Sequence, residues 1–294
     1  MNKVDENILL DDAGMLEDDP ILIDDDNDEM IGFRNYYNRL KESKNNISYW
    51  FPKIENCGIK VPKTKIFDVP TEIAFQFAYI GDSNKQNDII DKIYNWVKDE
   101  IVPDIPFELS GLCFIKNGTF SNKFNFASCI SAGNPMDITK SLININYVSL
   151  MYDAGGMTEF AIRSLIHHNA SKTCCIYNGM PLRNEYRVFY DFDKNKPLYI
   201  VNYWDYDYCH ETISKNKTDK IIYENMYPEL AFQYAKNKDN VMEYVDKHMK
   251  NVKDLDGIWS VDILETENNE LWLIDMAEGH RSAYWDINKV KGVK

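Results

Sequence analysis

Two apolar, β-rich segments near the C-terminus constrain this chain most: Ile258-Trp-Ser-Val-Asp-Ile-Leu264 and Glu270-Leu-Trp-Leu-Ile-Asp-Met276. Each carries one aspartate where apolar neighbours would be expected, and the linker Glu265-Thr-Glu-Asn-Asn269 is polar and turn-like. A hairpin that pairs Glu265 with Glu270 sets Asp262 opposite Leu273, with Asp275 two residues further along the same face. Such diagonal neighbours lie roughly 7–8 Å apart. Two carboxylates that close repel each other unless a cation sits between them. Hard oxygen donors of this kind suit Mg²⁺, which takes one or two carboxylates together with substrate phosphates. The alternative is a pair of aspartates on a solvated sheet face. Trp259, Trp272 and Ile274 argue for a buried hairpin.

The acidity of the chain is local. Residues 1–30 hold twelve acids and one base, Lys3, a net charge of −11 out of −14. The other 264 residues carry 35 acids and 32 bases, a net −3. A near-neutral body lacks the basic stripe of a general nucleic-acid surface. Asp24-Asp-Asp-Asn-Asp-Glu29 cannot build a core, so residues 1–30 are expected to be an acidic, disordered tail, either simply solvated or turned toward a basic partner. No stretch has the length of a membrane span and the N-terminus is unlike a signal peptide. The six cysteines form no CxxC pair. These features point to a soluble, reduced, cytoplasmic protein.

Along the body, Phe33, Tyr36, Tyr37 and Leu40 have helical spacing. Loops around a strand are expected from Ile47-Ser-Tyr-Trp-Phe-Pro52 through Thr64-Lys-Ile-Phe67. Ile89, Ile90, Ile93, Trp96, Val97 and Ile101 define a helix over 86–101. Leu112-Cys-Phe-Ile-Lys116 reads as a strand ending in a lysine, followed by a polar loop to Lys123. Residues 158–168 fit helix or strand equally. Arg183–Tyr190 alternates as a half-buried strand does, with Pro197–Tyr203 as its hairpin partner, and residues 228–250 read as a helix. Helices set between mainly antiparallel pairs predict an α+β fold.

Lys116 is placed for a phosphate, or as a snorkelling strand-end lysine. Arg183, Glu185 and Arg187 alternate along one strand. Two arginines on one face suit phosphate oxygens, with Glu185 as internal counter-charge, unless the three are a surface ladder. Asp205 borders a substrate site or breaks a core strand within Tyr203-Trp-Asp-Tyr-Asp-Tyr208. The adjacent His167 and His168 cannot both face one metal from a regular element, and read as structural. No Walker lysine loop, dinucleotide glycine fingerprint or Lys-x-Asp-Gly motif is present.

A strand-end lysine, an arginine-bearing strand and a late pair of strand aspartates, in that order, resemble the ATP-grasp superfamily. The nearer resemblance is to the cell division cycle protein 123 family of ATP-grasp proteins. Four stretches between about residues 47 and 285 carry it. Ser48-Tyr-Trp-Phe-Pro52 with Ile59-Lys-Val-Pro-Lys-Thr-Lys-Ile66 resembles the tryptophan-proline segment and the strand after it. Phe114-Ile-Lys116, followed by Ser121, resembles the Phe-Pro-Lys strand and its serine-bearing loop. Asn184-Glu-Tyr-Arg-Val-Phe189 and Asn202-Tyr-Trp-Asp-Tyr206 resemble the Glu-Phe-Arg strand and the strand bearing Asp-Tyr. Val261-Asp-Ile263 and Leu273-Ile-Asp275 resemble the two metal strands.

The resemblance implies an α+β ATP-grasp fold, two α+β lobes clamping a nucleotide, over residues 106–294, preceded by a small N-terminal region over 31–105. Glu159-Phe-Ala-Ile-Arg163 corresponds to the strand and hinge that hold adenine, with Arg163 at the hinge. Lys116 and Arg187 fall at phosphate-contacting and catalytic positions, and Ser121, Lys123, Arg183 and Asp205 join the nucleotide set. Asp262 and Asp275 would hold Mg²⁺. The family has a further metal-ligating Asn two residues beyond the second Asp; here that residue is Ala277, with Glu278 or His280 as substitutes from the following turn. A further departure is the insertion over His168–Met180. The implied cofactors are ATP and Mg²⁺. The implied activity is ATP-dependent joining of a carboxylate and an amine through an acyl phosphate; the alternative is a non-catalytic ATP-binding assembly factor for a protein complex. The substrate or protein partner is not identified, and no membrane is involved.

Overall fold

The computed structural model describes residues 26–80, 85–109, 111–169 and 171–292. In chain order the main elements are α1 (Asp26–Lys41), α2 (Ile47–Ile54), β1 (Thr64–Asp68), α3 (Thr71–Ala78), α4 (Gln86–Trp96), β2 (Cys113–Asn117), β3 (Ile130–Ser131), α5 (Pro135–Met151), β4 (Glu159–Ser164), β5 (Cys175–Ile176), β6 (Met180–Pro181), β7 (Glu185–Asp191), β8 (Lys196–Asn202), α6 (Tyr206–Ile213), α7 (Lys217–Met249), β9 (Ile258–Glu265), β10 (Leu271–Glu278) and α8 (Ile287–Gly292). Most of the acidic tail lies outside the described residues; its last five residues are the start of α1. Among the described residues no helix is long and apolar enough to cross a membrane. All six cysteines are free thiols.

The chain forms two compact units. Among the described residues, one comprises residues 26–49 with Lys63–Leu165 and the other Trp50–Pro62 with residues 166–292. The boundary expected at 105–106 is not where the packing divides. The reason is β1, which pairs antiparallel with β4 from Thr64↔Arg163 to Asp68↔Glu159, joining residues 64–68 to the sheet that contains Lys116.

In the first unit the sheet order is β1-β4-β2-β3. β4 is the central choice: Phe160, Ala161 and Ile162 are fully buried, which resolves residues 159–164 as strand. Phe67 stacks on Phe160 at 5.1 Å, and Trp96 meets the same ring edge-on at 6.0 Å. The helix expected over 86–101 is present as α4 and a wider turn over Val97–Ile101, and it buries Ile89, Ile93, Trp96, Val97 and Ile101. The segment Ile47–Pro52 is helix, not loop. Ile47, Trp50, Phe51 and Ile54 are buried at helical spacing, and that burial outweighs the main-chain hydrogen bond forgone at Pro52.

In the second unit the sheet order is β10-β9-β7-β8, all antiparallel. β7 is buried on both faces from Tyr186 to Asp191. α7 covers the sheet and begins eleven residues before the expected start at Pro228. Asn216 caps it, accepting from the amides of Thr218 (2.9 Å) and Asp219 (3.2 Å), while Pro228 sits at an exposed position. Tyr186 stacks on Tyr234 of α7 at 6.0 Å. The C-terminal hairpin forms, with a different register. Leu271, not Glu270, pairs with Glu265, because Thr266 takes the amide-to-carbonyl bond with Glu270 at 2.9 Å and Asn269 turns the chain at φ 58°. An irregularity between Leu273 and Asp275 then advances β10 by one more residue, so Asp275 pairs directly with Asp262.

Candidate functional site

In the second unit three charged residues occupy one row across three strands. Arg187 on β7 is the register partner of Asp262 on β9, which is the partner of Asp275 on β10. The Arg187 and Asp262 side chains are 1% and 6% exposed. Arg187 Nε donates to Asp262 Oδ1 at 2.8 Å and its Nη2 to Oδ2 at 2.9 Å, a fork that engages both carboxylate oxygens. Nη1 donates to the Ala283 carbonyl at 3.2 Å, and the guanidinium carbon lies 5.1 Å from the Tyr203 ring centroid. A cation does balance Asp262, and it is a side chain of the same sheet. Asp275 is half-buried, and its Oδ1 accepts from the Met276 amide at 3.0 Å.

The expected charge ladder is shorter than the sequence spacing implies. β7 begins at Glu185, so Arg183 lies in the preceding link, where its Nη1 donates to the His167 carbonyl at 3.2 Å. Burial lowers its pKa, opposed by Glu185, Glu267 and Cys175. Asp205 caps α6, accepting from the Tyr208 amide at 3.2 Å. Glu278 ends β10 opposite Trp259, with Arg281 Nε 3.9 Å from its carboxylate. Ala277 is buried opposite Ser260. Among the described residues no three His, Cys, Asp or Glu side chains are grouped to hold a metal ion. His168 Nε2 lies 3.9 Å from Cys175 Sγ.

Two hard carboxylates on adjacent strands still fit Mg²⁺ as donors, since this ion keeps much of its shell for water and phosphate oxygens. On this sheet those carboxylates are Asp262 and Asp275.

The first unit holds the other five candidates. Lys116 is 2% exposed and followed by Asn117 in β2, so it neither ends the strand nor snorkels to the surface. Its charge opposes the burial that pushes the Cys129 thiol up to about 12. Ser121 is buried in the loop after β2, and its carbonyl accepts from the Lys123 amide at 2.8 Å. Lys123 Nζ is 5.7 Å from the Phe124 ring centroid. Glu159 and Arg163, both 3% exposed, lie near opposite ends of β4. Arg163 Nε donates to Thr64 Oγ1 at 3.1 Å. Glu159 accepts from the Ser48 amide at 3.1 Å, the first turn of α2. Burial raises its pKa, and the Ser48 hydrogen bonds oppose that.

Two polar groups that fix these surroundings were not singled out in the sequence. Asn117 Oδ1 accepts from the amides of Thr119 (3.0 Å) and Phe120, while its Nδ2 donates to Ser149 Oγ at 3.0 Å. The Asn117-Gly118 pair after a strand is the signal that marks this turn. Glu265, read as a linker residue, belongs to β9 and accepts from Tyr186 Oη at 2.6 Å and Asn237 Nδ2 at 2.9 Å. Only tertiary placement shows it.

These helices and antiparallel sheets make an α+β protein. No protein-family model and no curated protein sequence matches the chain. Among solved structures, C-terminally truncated Cdc123 from Schizosaccharomyces pombe is 14% identical, covers 85% of this chain and 90% of that one, and has a TM-score of 0.48. Cdc123 from the same organism without the truncation is 14% identical over 93% of this chain and 95% of that one, at TM-score 0.47. D-alanine–D-alanine ligase from Helicobacter pylori is 12% identical over 84% of this chain and 56% of that one, at TM-score 0.41.

Proposed function

We propose that this protein binds Mg²⁺-ATP and uses it to activate a carboxylate for attack by an amine. The observation that carries the reading is the Arg187–Asp262–Asp275 row: one guanidinium fork and two carboxylates on three neighbouring strands. A fork that binds two carboxylate oxygens has the geometry to bind two phosphate oxygens, and a lysine does not. Mg²⁺ bound with the nucleotide neutralises phosphate charge. Arg187 orients phosphate oxygens by the same fork that now holds Asp262. Lys116 supplies a second positive charge to the phosphates, as the sequence resemblance implies. The sequence resemblance makes Ser121, Lys123, Arg163 and Arg183 further candidates for nucleotide contacts. Glu159 and Asp205 serve it by holding the starts of α2 and α6. The work is positioning and charge neutralisation, without a covalent enzyme intermediate.

Asp275→Asn keeps the shape and removes a charge. It should weaken Mg²⁺-ATP binding about ten-fold or more, on the order of 1.4 kcal/mol, while leaving metal-free ATP nearly unaffected. Calorimetry of wild type and variant with each ligand decides this, and equal affinities for Mg²⁺-ATP would remove the metal assignment.

One observation favours a second reading, an ATP-binding assembly factor for a protein complex. Ala277, buried where the resembled family has a metal-ligating Asn, has no oxygen to offer from its side chain. ADP release that depends on an added amine or carboxylate supports the ligase. Capture of one defined partner that needs ATP, without turnover, supports the assembly factor.

A further inference from the structure

The Arg187–Asp262 pair has a consequence for the order in which metal and nucleotide arrive. Both oxygens of Asp262 already accept from one guanidinium, at 2.8 and 2.9 Å, in a pair that is nearly fully buried. Arg187 is itself held from its remaining nitrogen by the Ala283 carbonyl at 3.2 Å and by the Tyr203 ring. A bare divalent cation approaching Asp262 therefore meets a fixed positive charge within hydrogen-bond distance of the oxygens it needs. Asp275, directly across the β9–β10 pair, adds attraction but does not remove that charge. Like charges this close repel strongly in a site screened from water.

We propose that Arg187 is a latch that keeps the Asp262 carboxylate closed to a free divalent cation, and that polyphosphate oxygens open it by drawing the guanidinium away. The inference rests on the nucleotide-binding reading and adds to it an order: nucleotide and metal enter together, and the metal alone is refused. The chemistry needed to open the latch is that of an anion with several oxygens able to accept the guanidinium fork. The Ala283 carbonyl and the Tyr203 ring are contacts that the guanidinium leaves or reuses as it swings. In the free protein the same pair keeps two buried charges compensated, so the closed state is also the stable one.

The test measures Mn²⁺ binding to the whole protein without nucleotide, by electron paramagnetic resonance of the free ion. Three proteins are compared: wild type, Arg187→Lys and Arg187→Gln, each checked for folding by circular dichroism. Mg²⁺-ATP binding to wild type is measured alongside. The latch predicts weak Mn²⁺ binding by wild type, a gain of several-fold in Arg187→Lys, and a gain of ten-fold or more in Arg187→Gln. The Lys variant keeps a positive charge but cannot hold both oxygens, so it carries the test if Arg187→Gln fails to fold. Equal Mn²⁺ affinity in wild type and the folded variants overturns the latch, even where Mg²⁺-ATP still binds to wild type. Absence of Mg²⁺-ATP binding by wild type overturns the nucleotide reading, and the release by phosphate with it, whatever Mn²⁺ does.

Discussion

Glu159 and Asp262 are both carboxylates buried in four-stranded antiparallel sheets, and the protein treats them in opposite ways. Glu159, in the first unit, is held by a main-chain amide, that of Ser48. Burial raises its pKa, toward the neutral form. Asp262, in the second unit, faces a guanidinium fork that stabilises the charged form. The surrounding backbone differs in the same sense. The register of β1, β4, β2 and β3 runs without a shift, whereas β10 slips by a residue beside Asp275 and β7 slips against β8 between Phe189 and Tyr190. A regular sheet suffices to bury a carboxylate whose work is capping a helix. Bringing two carboxylates and an arginine into one row required an irregular strand.

Mutation of the ion pair should cost the most. Arg187→Met and Asp262→Leu each leave a buried charge uncompensated, so each should cost about 3–5 kcal/mol of stability. The double variant should recover most of that loss. Urea unfolding of the four proteins gives the coupling energy. Additive losses would show that the fork contributes no more than two independent side chains.

A middle-sized effect belongs to Gly118. A Cβ there would come within 2.7 Å of the Asn46 amide oxygen and of the Glu159 side chain. Gly118→Ala should therefore destabilise by about 1–3 kcal/mol, the usual cost of overpacking. Pairing it with Glu159→Gln should not relieve the clash, since glutamine has nearly the same size. A neutral Gly118→Ala would mean that the Glu159 side chain moves freely, and the contrast with Asp262 would sharpen.

The smallest effect is a pH dependence. Because the folded pKa of Glu159 lies above its unfolded value of about 4.3, the folded state keeps this proton longer on titration. Its contribution to stability is fully present below the unfolded pKa and is lost as pH rises through the folded one. Glu159→Gln should remove that slope in melting temperature between acid and neutral pH. Asp262→Asn leaves Glu159 in place and should keep the acid-side gain. A wild-type curve with the same slope as Glu159→Gln would place the Glu159 carboxyl in an ordinary, water-like setting.

Much of this was legible in the residues. The 86–101 helix follows from apolar spacing, the 185–191 and 196–202 hairpin from alternation, and the C-terminal hairpin from two apolar runs around a polar turn. The α2 helix was hidden by Pro52, a breaker signal overruled by burial of Ile47, Trp50, Phe51 and Ile54. The start of α7 was hidden in the same way by Pro228, with the true cap at Asn216.

For the candidate site, the residues alone show which charges exist and which strands carry them: Lys116 on β2, Arg187 on β7, Asp262 on β9 and Asp275 on β10. Strand parity also separated Arg187 from Tyr186 and Val188. What each charge faces depends on how the strands pair. Asp262 meets Asp275 and not Leu273 because the turn closes from Thr266 to Glu270 and β10 slips once more at Ile274. Arg187 meets Asp262 because β7 and β9, more than seventy residues apart in the chain, lie side by side. Periodicity within a strand is a local property, set by the geometry of successive residues. Register between strands is not local, since a shift of one residue changes every partner while leaving each strand's own pattern intact.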